Sequence, residues 1–144
     1  MTNPIPCSKL NQVIKQESRV STLTPAHDVM ITGKLPILAP DMQLGDAIIL
    51  VSNVKLGLGI AIVDGQIAGL ITDGDIRRAM ERWQAEFFDR TVADIMTRTP
   101  KKVSPQAKIS EVQKIMNQNK IHNVLVVNEQ NQLLGVVDRY ACVL

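Results

Sequence analysis

Gly69-Leu70-Ile71-Thr72-Asp73-Gly74-Asp75-Ile76-Arg77-Arg78 decides how this 144-residue chain folds. An apolar run ends at Thr72, as a buried strand does, and a helix opens behind it. Gly74 lets the chain turn tightly at that junction. The first turn of such a helix presents free backbone N–H groups and the positive end of a dipole, which together suit a phosphate. The Thr72 hydroxyl can donate to a phosphate oxygen, and the Asp75 carboxylate can accept from both hydroxyls of a ribose. Asp73 and Asp75, taken singly, are equally good helix N-caps, and Arg77 and Arg78 suit a solvated face. The order Gly-apolar-apolar-Thr-x-x-Asp, closing the first of two repeats, favours binding over capping alone.

Working outward, Gly57 to Val63 and Ile67 to Ile71 read as strands joined at Asp64-Gly65, a strong hairpin signal. Asp41 to Val51 carries apolar residues at 44, 47, 48, 50 and 51, which make one helix face. Another helix is predicted from Asp73 through Phe87. Leu35-Pro36-Ile37-Leu38 is extended, because the residue before proline avoids the helical region. Thr24-Pro25 marks a helix start, with Thr24 as N-cap and Pro25 at the first helical position.

The same order recurs about 65 residues later. Asp94-Ile95-Met96 echoes Asp28-Val29-Met30, and Lys102-Val103-Ser104-Pro105 echoes Ile37-Leu38-Ala39-Pro40. Ile109 to Met116 repeats the helix at Leu44 to Val51. Val124 to Val127 repeats Ile60 to Val63, and Leu133 to Val137 repeats Ile67 to Ile71. Self-similarity at a fixed period marks two copies of one unit. Each copy reads β-α-β-β-α, which makes the fold class α+β. A hairpin with two helices cannot bury both faces alone. The two copies therefore pack sheet against sheet with pseudo-twofold symmetry, leaving clefts where strand ends and helix N-termini converge. Residues 1–24 form a leader or linker, with Leu10, Val13, Ile14 and Val20 near helical spacing. Residues 25–90 are the first repeat and 91–144 the second, which is cut short before a full last helix.

Composition excludes several functions. Apolar residues make up 45% of the chain and aromatics only 3%, so the core is aliphatic and no ring platform for single-stranded nucleic acid is available. Sixteen basic residues nearly balance fourteen acidic ones, and no basic stripe marks a nucleic-acid partner. The two cysteines, Cys7 and Cys142, have no metal-ligand spacing, and with His27 and His122 they make no metal site. No signal peptide and no apolar run of membrane-spanning length is visible, so no membrane partner and a cytoplasmic location are expected. There is no Gly-x-Ser-x-Gly elbow and no Gly-x-x-x-x-Gly-Lys loop, and Gly57-Leu58-Gly59 lacks the third glycine of a dinucleotide fingerprint. Asp73 and Asp75 have no partner base or nucleophile, so no catalytic residue is assigned.

The Gly-apolar-apolar-Thr-x-x-Asp motif, inside two such repeats, resembles the ribose- and phosphate-binding motif of CBS (cystathionine-β-synthase-type) repeats. The resemblance covers Pro25 to Leu144. More narrowly, Thr72 to Arg78, Lys55-Leu56-Gly57 and Ala93-Asp94-Ile95-Met96-Thr97 resemble the CBS pair of arabinose 5-phosphate isomerases. Those bacterial enzymes convert ribulose 5-phosphate to arabinose 5-phosphate for Kdo, lipopolysaccharide and capsule synthesis. Their catalytic sugar isomerase (SIS) domain precedes the CBS pair. Nothing of that kind fits before Pro25, so an excised regulatory segment or a free-standing relative is expected. The Thr-Asp-Gly-Asp-Ile-Arg-Arg string also resembles CBS pairs fused to sugar nucleotidyltransferases.

The resemblance implies a non-catalytic module that needs no cofactor and senses an adenine nucleotide or a CMP-linked sugar acid. It implies a homodimer formed through the repeats, acting on an SIS isomerase domain in cis or in trans. A purely structural, oligomerising module is the alternative. Carried over residue by residue, the motif places the ligand at Thr72 and Asp75, with Asp73 and Arg77 beside them. Leu35, Pro36, Ile37, Gly59 and Ile60 would supply an apolar wall, and His122 would fall near the cleft. In the second repeat, Gly135-Val136-Val137-Asp138-Arg139-Tyr140-Ala141 has Asp138 for the threonine and Ala141 for the aspartate. One competent site and one degenerate site are therefore expected.

Overall fold

The computed structural model describes residues 21–142. The predicted leader helix around Leu10 to Val20 lies outside the described residues. Thirteen elements follow in two matching series. The first comprises helix α1 (Ala26–Val29), strand β1 (Ile37–Leu38), helix α2 (Leu44–Val54), strands β2 (Leu58–Val63) and β3 (Gln66–Thr72), helix α3 (Asp73–Trp83) and a 3-10 turn (Gln84–Asp89). The second comprises α4 (Val92–Ile95), β4 (Lys102–Val103), α5 (Ile109–Asn119), β5 (Asn123–Val127), β6 (Leu133–Asp138) and a 3-10 turn (Arg139–Cys142).

Each series forms one three-stranded sheet, in the orders β1-β2-β3 and β4-β5-β6. β1 runs parallel to β2 and β3 antiparallel to it, and the second sheet repeats that pattern. The first hairpin turns at Asp64 (φ 52°) and Gly65 (φ 77°), the pair of positive φ angles that a type I′ turn requires. The second hairpin is longer. There the Asn128 Oδ1 accepts from the N–H groups of Gln130 and Gln132, and Asn131 takes the positive φ.

The pleat sorts each strand's residues between two cores. On β2, Leu58 and Ile60 point to an inter-sheet cluster with Ile67, Leu125 and Val136. Ala61 points the other way, to a cluster with Ala47, Val51, Ile76 and Phe87 from the helices. β5 does the same, with Leu125 between the sheets and Val124 and Val126 against the helix α5. The fold is thus the expected α+β pair of repeats, sheet packed on sheet.

The short helices cross over between the halves. Val92 and Met96, at and just after α4, belong to the core of the first sheet. Ala26, Val29 and Met30, at and just after α1, belong to the core of the second. Four backbone bridges fasten these crossings: Pro25 to Lys108 and Ile31 to Val136 on either side of α1, and Thr91 to Gln43 and Thr97 to Leu70 on either side of α4. Leu70 and Thr97 exchange N–H···O bonds of 2.9 and 2.8 Å, and Ile31 and Val136 exchange bonds of 2.8 and 3.0 Å. The linear division at 90/91 is therefore a division of the sequence, and the packing passes across it.

Three element boundaries differ from the sequence expectation. Pro25, not Thr24, occupies the N-cap of α1, and the Thr24 hydroxyl accepts instead from the Ser21 N–H at 2.9 Å. The helix predicted through Phe87 ends at Trp83, because Gln84 leaves the helical region with φ 50° and ψ −120°. That break lets Phe87 bury completely while the Arg82 and Arg90 guanidinium groups lie 5.2 and 4.6 Å from the Trp83 ring centre. α2 begins at Leu44, three residues after the predicted start at Asp41, with Gln43 as N-cap.

Candidate functional site

The strand β3 delivers Thr72 to the rim of the inter-repeat space, and α3 starts there. Thr72 is the N-cap of α3. Its Oγ1 accepts the Asp75 N–H at 3.2 Å, and Asp75 Oδ2 accepts the Thr72 N–H at 2.9 Å. This is a reciprocal capping box, in which two otherwise orphaned donors are satisfied. The cap is therefore Thr72, and Asp75 is its return partner at the third helical position. The Asp73 N–H is also occupied, by the Gly57 carbonyl at 2.9 Å. Gly57 has φ 71°, which places that carbonyl where few other residues could hold it. The first turn thus offers fewer bare N–H groups than its sequence suggests.

What remains is still suited to an anion. The Thr72 hydroxyl uses an acceptor site in the cap and keeps its own proton to donate. Asp75 has both oxygens engaged, because its Oδ1 also pairs with Arg78 at 2.6 Å. The Asp75 side chain is about one-fifth exposed and Arg78 mostly exposed. A ribose can reach Asp75 only by sharing it with Arg78 or by displacing that guanidinium.

A cleft of about 740 Å³ opens in front of this cap. One wall comes from the first repeat: Leu56 and Gly57, the Thr72 to Asp75 cap, and Arg77 and Arg78. The other comes from the second repeat: Thr97, Thr99, Pro100 and Lys101 before β4, and Asn119 to Asn123 between α5 and β5. The Leu70–Thr97 bridge explains why the two meet, since it pins the chain leaving α4 beside the end of β3. Four cationic side chains (Arg77, Arg78, Lys101, Lys120) line the cleft against two carboxylates, Asp73 and Asp75. With one of those carboxylates already paired to Arg78, the cleft favours a negatively charged occupant.

Of the residues singled out from sequence, Thr72, Asp73, Asp75, Arg77 and His122 line this cleft together. The proposed apolar wall does not. Ile60 is fully buried between the sheets, and Gly59 is packed under Leu38 and Val51. Leu35 packs on the inter-sheet cluster, Pro36 is buried, and its carbonyl accepts the Ile60 N–H at 2.9 Å. Ile37 is 43% exposed on the outer strand β1. The reason is the crossover: Ile31 is bridged to Val136, so the segment leading to Leu35 runs beside β6 and not beside β3. Its counterpart one repeat later, leading to Pro100 and Lys101, closes the Thr72 cleft.

Lys101, Lys120, Thr99, Asn119 and Asn123 are lining residues that sequence reasoning missed. Reading the repeat offset together with the crossover would have found Thr99 and Lys101. In the second copy, Asp138 Oδ1 accepts the Tyr140 N–H at 3.0 Å, and Ala141 lies in a 3-10 turn. His122 is exposed, its carbonyl accepts the Arg139 N–H at 2.8 Å, and its ring lies 3.4 Å from the Arg139 guanidinium. Among the described residues, no group of three His, Cys, Asp or Glu could hold a metal ion, and no helix is long and apolar enough to cross a membrane.

Known proteins show the same pairing of halves. The CBS domain family matches residues 26–82 and 92–143. A probable arabinose 5-phosphate isomerase of Haemophilus influenzae is 33% identical over 116 residues, which is 81% of this chain and 34% of that relative. The chain spans about a third of the length of the curated relatives it matches. Among solved structures, CBSX2 in complex with AMP superposes with a TM-score of 0.72 at 20% identity, covering 82% of this chain and 92% of that one. The CBS domain pair of protein MJ0100, in complex with 5′-methylthioadenosine and S-adenosyl-L-methionine, superposes with a TM-score of 0.74 at 20% identity, covering 83% and 92%. The two matched stretches are the two halves that enclose the cleft, and the chain belongs to the CBS domain family as a tandem pair.

Proposed function

We propose that this CBS pair is a regulatory module whose cleft at Thr72 and Asp75 binds a nucleotide or nucleotide-sugar. The observation that carries it is the cleft itself, a positively lined space of about 740 Å³ with a helix N-terminus and the Thr72 hydroxyl at one wall. A phosphate on the Thr72 side would meet the dipole of α3 and the Arg77, Lys101 and Lys120 charges. A ribose would reach Asp75 in competition with Arg78. The adenine compounds named for the related structures support an adenylate, and the isomerase relatives keep a CMP-linked sugar acid as the other candidate. The regulated partner is an arabinose 5-phosphate isomerase domain, in the same chain or in another, as in the relatives that this chain partly covers. Regulation follows when the ligand prefers one packing of the two repeats over another. The module acts in the cytoplasm, where such sugar phosphates are made.

Thermal melting with AMP, ADP, ATP and CMP-linked sugars tests this. A ligand at 100 times its dissociation constant stabilises by about 2.7 kcal/mol. Asp75→Asn keeps an oxygen for the cap but not the charge, and it should reduce the ligand-dependent shift. If no compound moves the melting point, the cleft is not a nucleotide site. A shift that persists unchanged in Asp75→Asn places the ligand elsewhere.

A homodimer is part of the same proposal. Phe88, 59% exposed, lies over Gly45, and Ile49, 59% exposed, stands one helical turn further along α2. Met80 of α3 is 41% exposed as well. An apolar surface on these helices suits a second copy of the chain.

A further inference from the structure

Arg78 lies back across the first turn of α3, because helical side chains lean toward the N-terminus. Its Nη2 donates to Asp75 Oδ1 at 2.6 Å. Its Nη1 stands 3.2 Å from the point where a Cβ on Gly74 would sit, and the Thr72 Oγ1 stands 3.6 Å from that same point. The missing Cβ leaves this point open between the guanidinium and the hydroxyl, and all four residues line the cleft. Among the described residues, Nη1 has no hydrogen-bond partner. A cation at this end of a helix opposes the dipole, so Arg78 is there for its pairing with Asp75 and not for the helix. Its side chain is 70% exposed, and such an ion pair shifts an equilibrium by no more than about fivefold. The guanidinium is therefore held loosely, beside both the carboxylate assigned to the ribose and the hydroxyl assigned to the phosphate.

We infer that Arg78 is a specificity-determining residue that pairs with Asp75 until a ribose takes that carboxylate, and then turns to the ligand's phosphate, which selects nucleotides over nucleosides. This rests on the cleft being the nucleotide site proposed above. A nucleoside displaces the guanidinium from Asp75 and gives it no acceptor in return. A nucleotide supplies one, since phosphate oxygens accept charge-assisted bonds from the guanidinium fork. The exchange is thus unfavourable for the nucleoside and favourable for the nucleotide. Arg77, Lys101 and Lys120 attract the anion as well, but among the described residues only Arg78 is ion-paired with Asp75. The choice between the two ligand classes therefore falls to Arg78.

Calorimetric titration of the full chain with AMP and adenosine, and with CMP and cytidine, tests it alongside Arg78→Ala. Arg78 is mostly exposed, so its truncation leaves both cores intact. In Arg78→Ala the monophosphate should bind about tenfold more weakly, the worth of one hydrogen bond to a charged group. The nucleoside should bind about two- to fivefold more tightly, because Asp75 no longer has a competing partner. The substitution thus moves the two ligands in opposite directions. An Arg78 that only steadies the capping box would weaken both alike, and that result overturns the inference. So does an unchanged affinity for the monophosphate, or a nucleoside that gains nothing. In each of these cases, binding of AMP or CMP by the parent leaves the cleft standing as a nucleotide site. Binding of none of the four compounds overturns the inference too, and with no shift across the wider nucleotide panel it removes the site as well.

Discussion

A Cβ placed on Gly69 would lie 2.6 Å from the sulfur of Met96. The same Cβ would lie 3.0 Å from the Thr97 carbonyl oxygen, which accepts the Leu70 N–H. Gly135 stands in the same relation to Met30 and to the Ile31 carbonyl, at 2.8 and 2.9 Å. The glycine that opens the Gly-apolar-apolar-Thr motif is thus explained by packing: it admits the crossing segment that closes the cleft. Gly69→Ala should destabilise by about 1–3 kcal/mol, as overpacking does. Met96→Ala relieves that clash, so urea unfolding of both single variants and the double variant should show the two substitutions coupled by more than about 0.5 kcal/mol. Strict additivity would mean that the backbone moves aside and that the glycine is not fixing the crossover.

Local patterns carried most of the fold into the sequence. Asp64-Gly65 announced its turn because both positions need positive φ, and the near-continuous apolar runs of β2 and β5 followed from a sheet buried on both faces. Half of the site was legible for the same reason, since Thr72, Gly74 and Asp75 lie within one turn. The opposite wall was not. The Leu70–Thr97 and Ile31–Val136 bridges join residues from different repeats, and no local period reports that exchange. Leu35, Pro36 and Ile37 were therefore set against Thr72, although their equivalents around Pro100 and Lys101 occupy that place. Asn123 escaped notice because a polar residue at the start of a strand is ordinary.

The capping box between Thr72 and Asp75 separates stability from binding. Thr72→Ala removes the acceptor for the Asp75 N–H and should cost about 1 kcal/mol without ligand. Thr72→Ser keeps both the cap and the donatable hydroxyl, so its stability and nucleotide response should stay near those of the parent. Asp75→Asn should fall between them in stability. Chemical denaturation of the three variants, each with and without AMP, reads the two effects independently. Equal loss in Thr72→Ser and Thr72→Ala would mean that the methyl, not the hydroxyl contact, is lost in packing.

Self-association through α2 is testable at Ile49, which contributes little to either core. Ile49→Lys puts a charge on the exposed apolar surface beside Phe88. Sedimentation velocity should show the variant as a monomer at concentrations where the parent is a dimer. Because the position is exposed, the unfolding free energy of the monomer should change by less than about 0.5 kcal/mol. An unchanged sedimentation profile for a dimeric parent would move the interface away from this helix.

Burial pushes the Cys142 thiol above its ordinary range, and the Asp138 charge raises it further. The folded protein thus holds the neutral thiol more firmly than the unfolded chain does. This contribution is fully present below the unfolded thiol's pKa, about 8.5. It is lost as the pH rises through the higher folded value, so stability should decline on the alkaline side. In a Cys7→Ser background, leaving Cys142 as the single thiol, alkylation by iodoacetamide at pH 8 should be slow in buffer and fast in denaturant. Rapid labelling of the native chain would show that the terminal turn opens readily and that Cys142 is not held in the core.

Lys55 and Lys120 end the two matching helices α2 and α5 in the left-handed conformation, with φ of 58° and 53°. A residue with a Cβ bears roughly 1–2 kcal/mol of strain there, and glycine avoids it at some entropic cost. Glycine at either position should therefore raise stability by about 0.5–1 kcal/mol. The two sites then part company. Lys120 lines the cleft and Lys55 does not, so Lys120→Gly also removes one of the three cationic groups set around the proposed phosphate. Lys55→Gly should melt higher and bind nucleotide as the parent does. Lys120→Gly should melt higher but bind more weakly, with a smaller dependence of affinity on salt. Calorimetry at two ionic strengths distinguishes the pair. Equal nucleotide affinity in both variants would show that the charge of Lys120 does not reach the ligand and that the anion rests on Arg77 and Lys101.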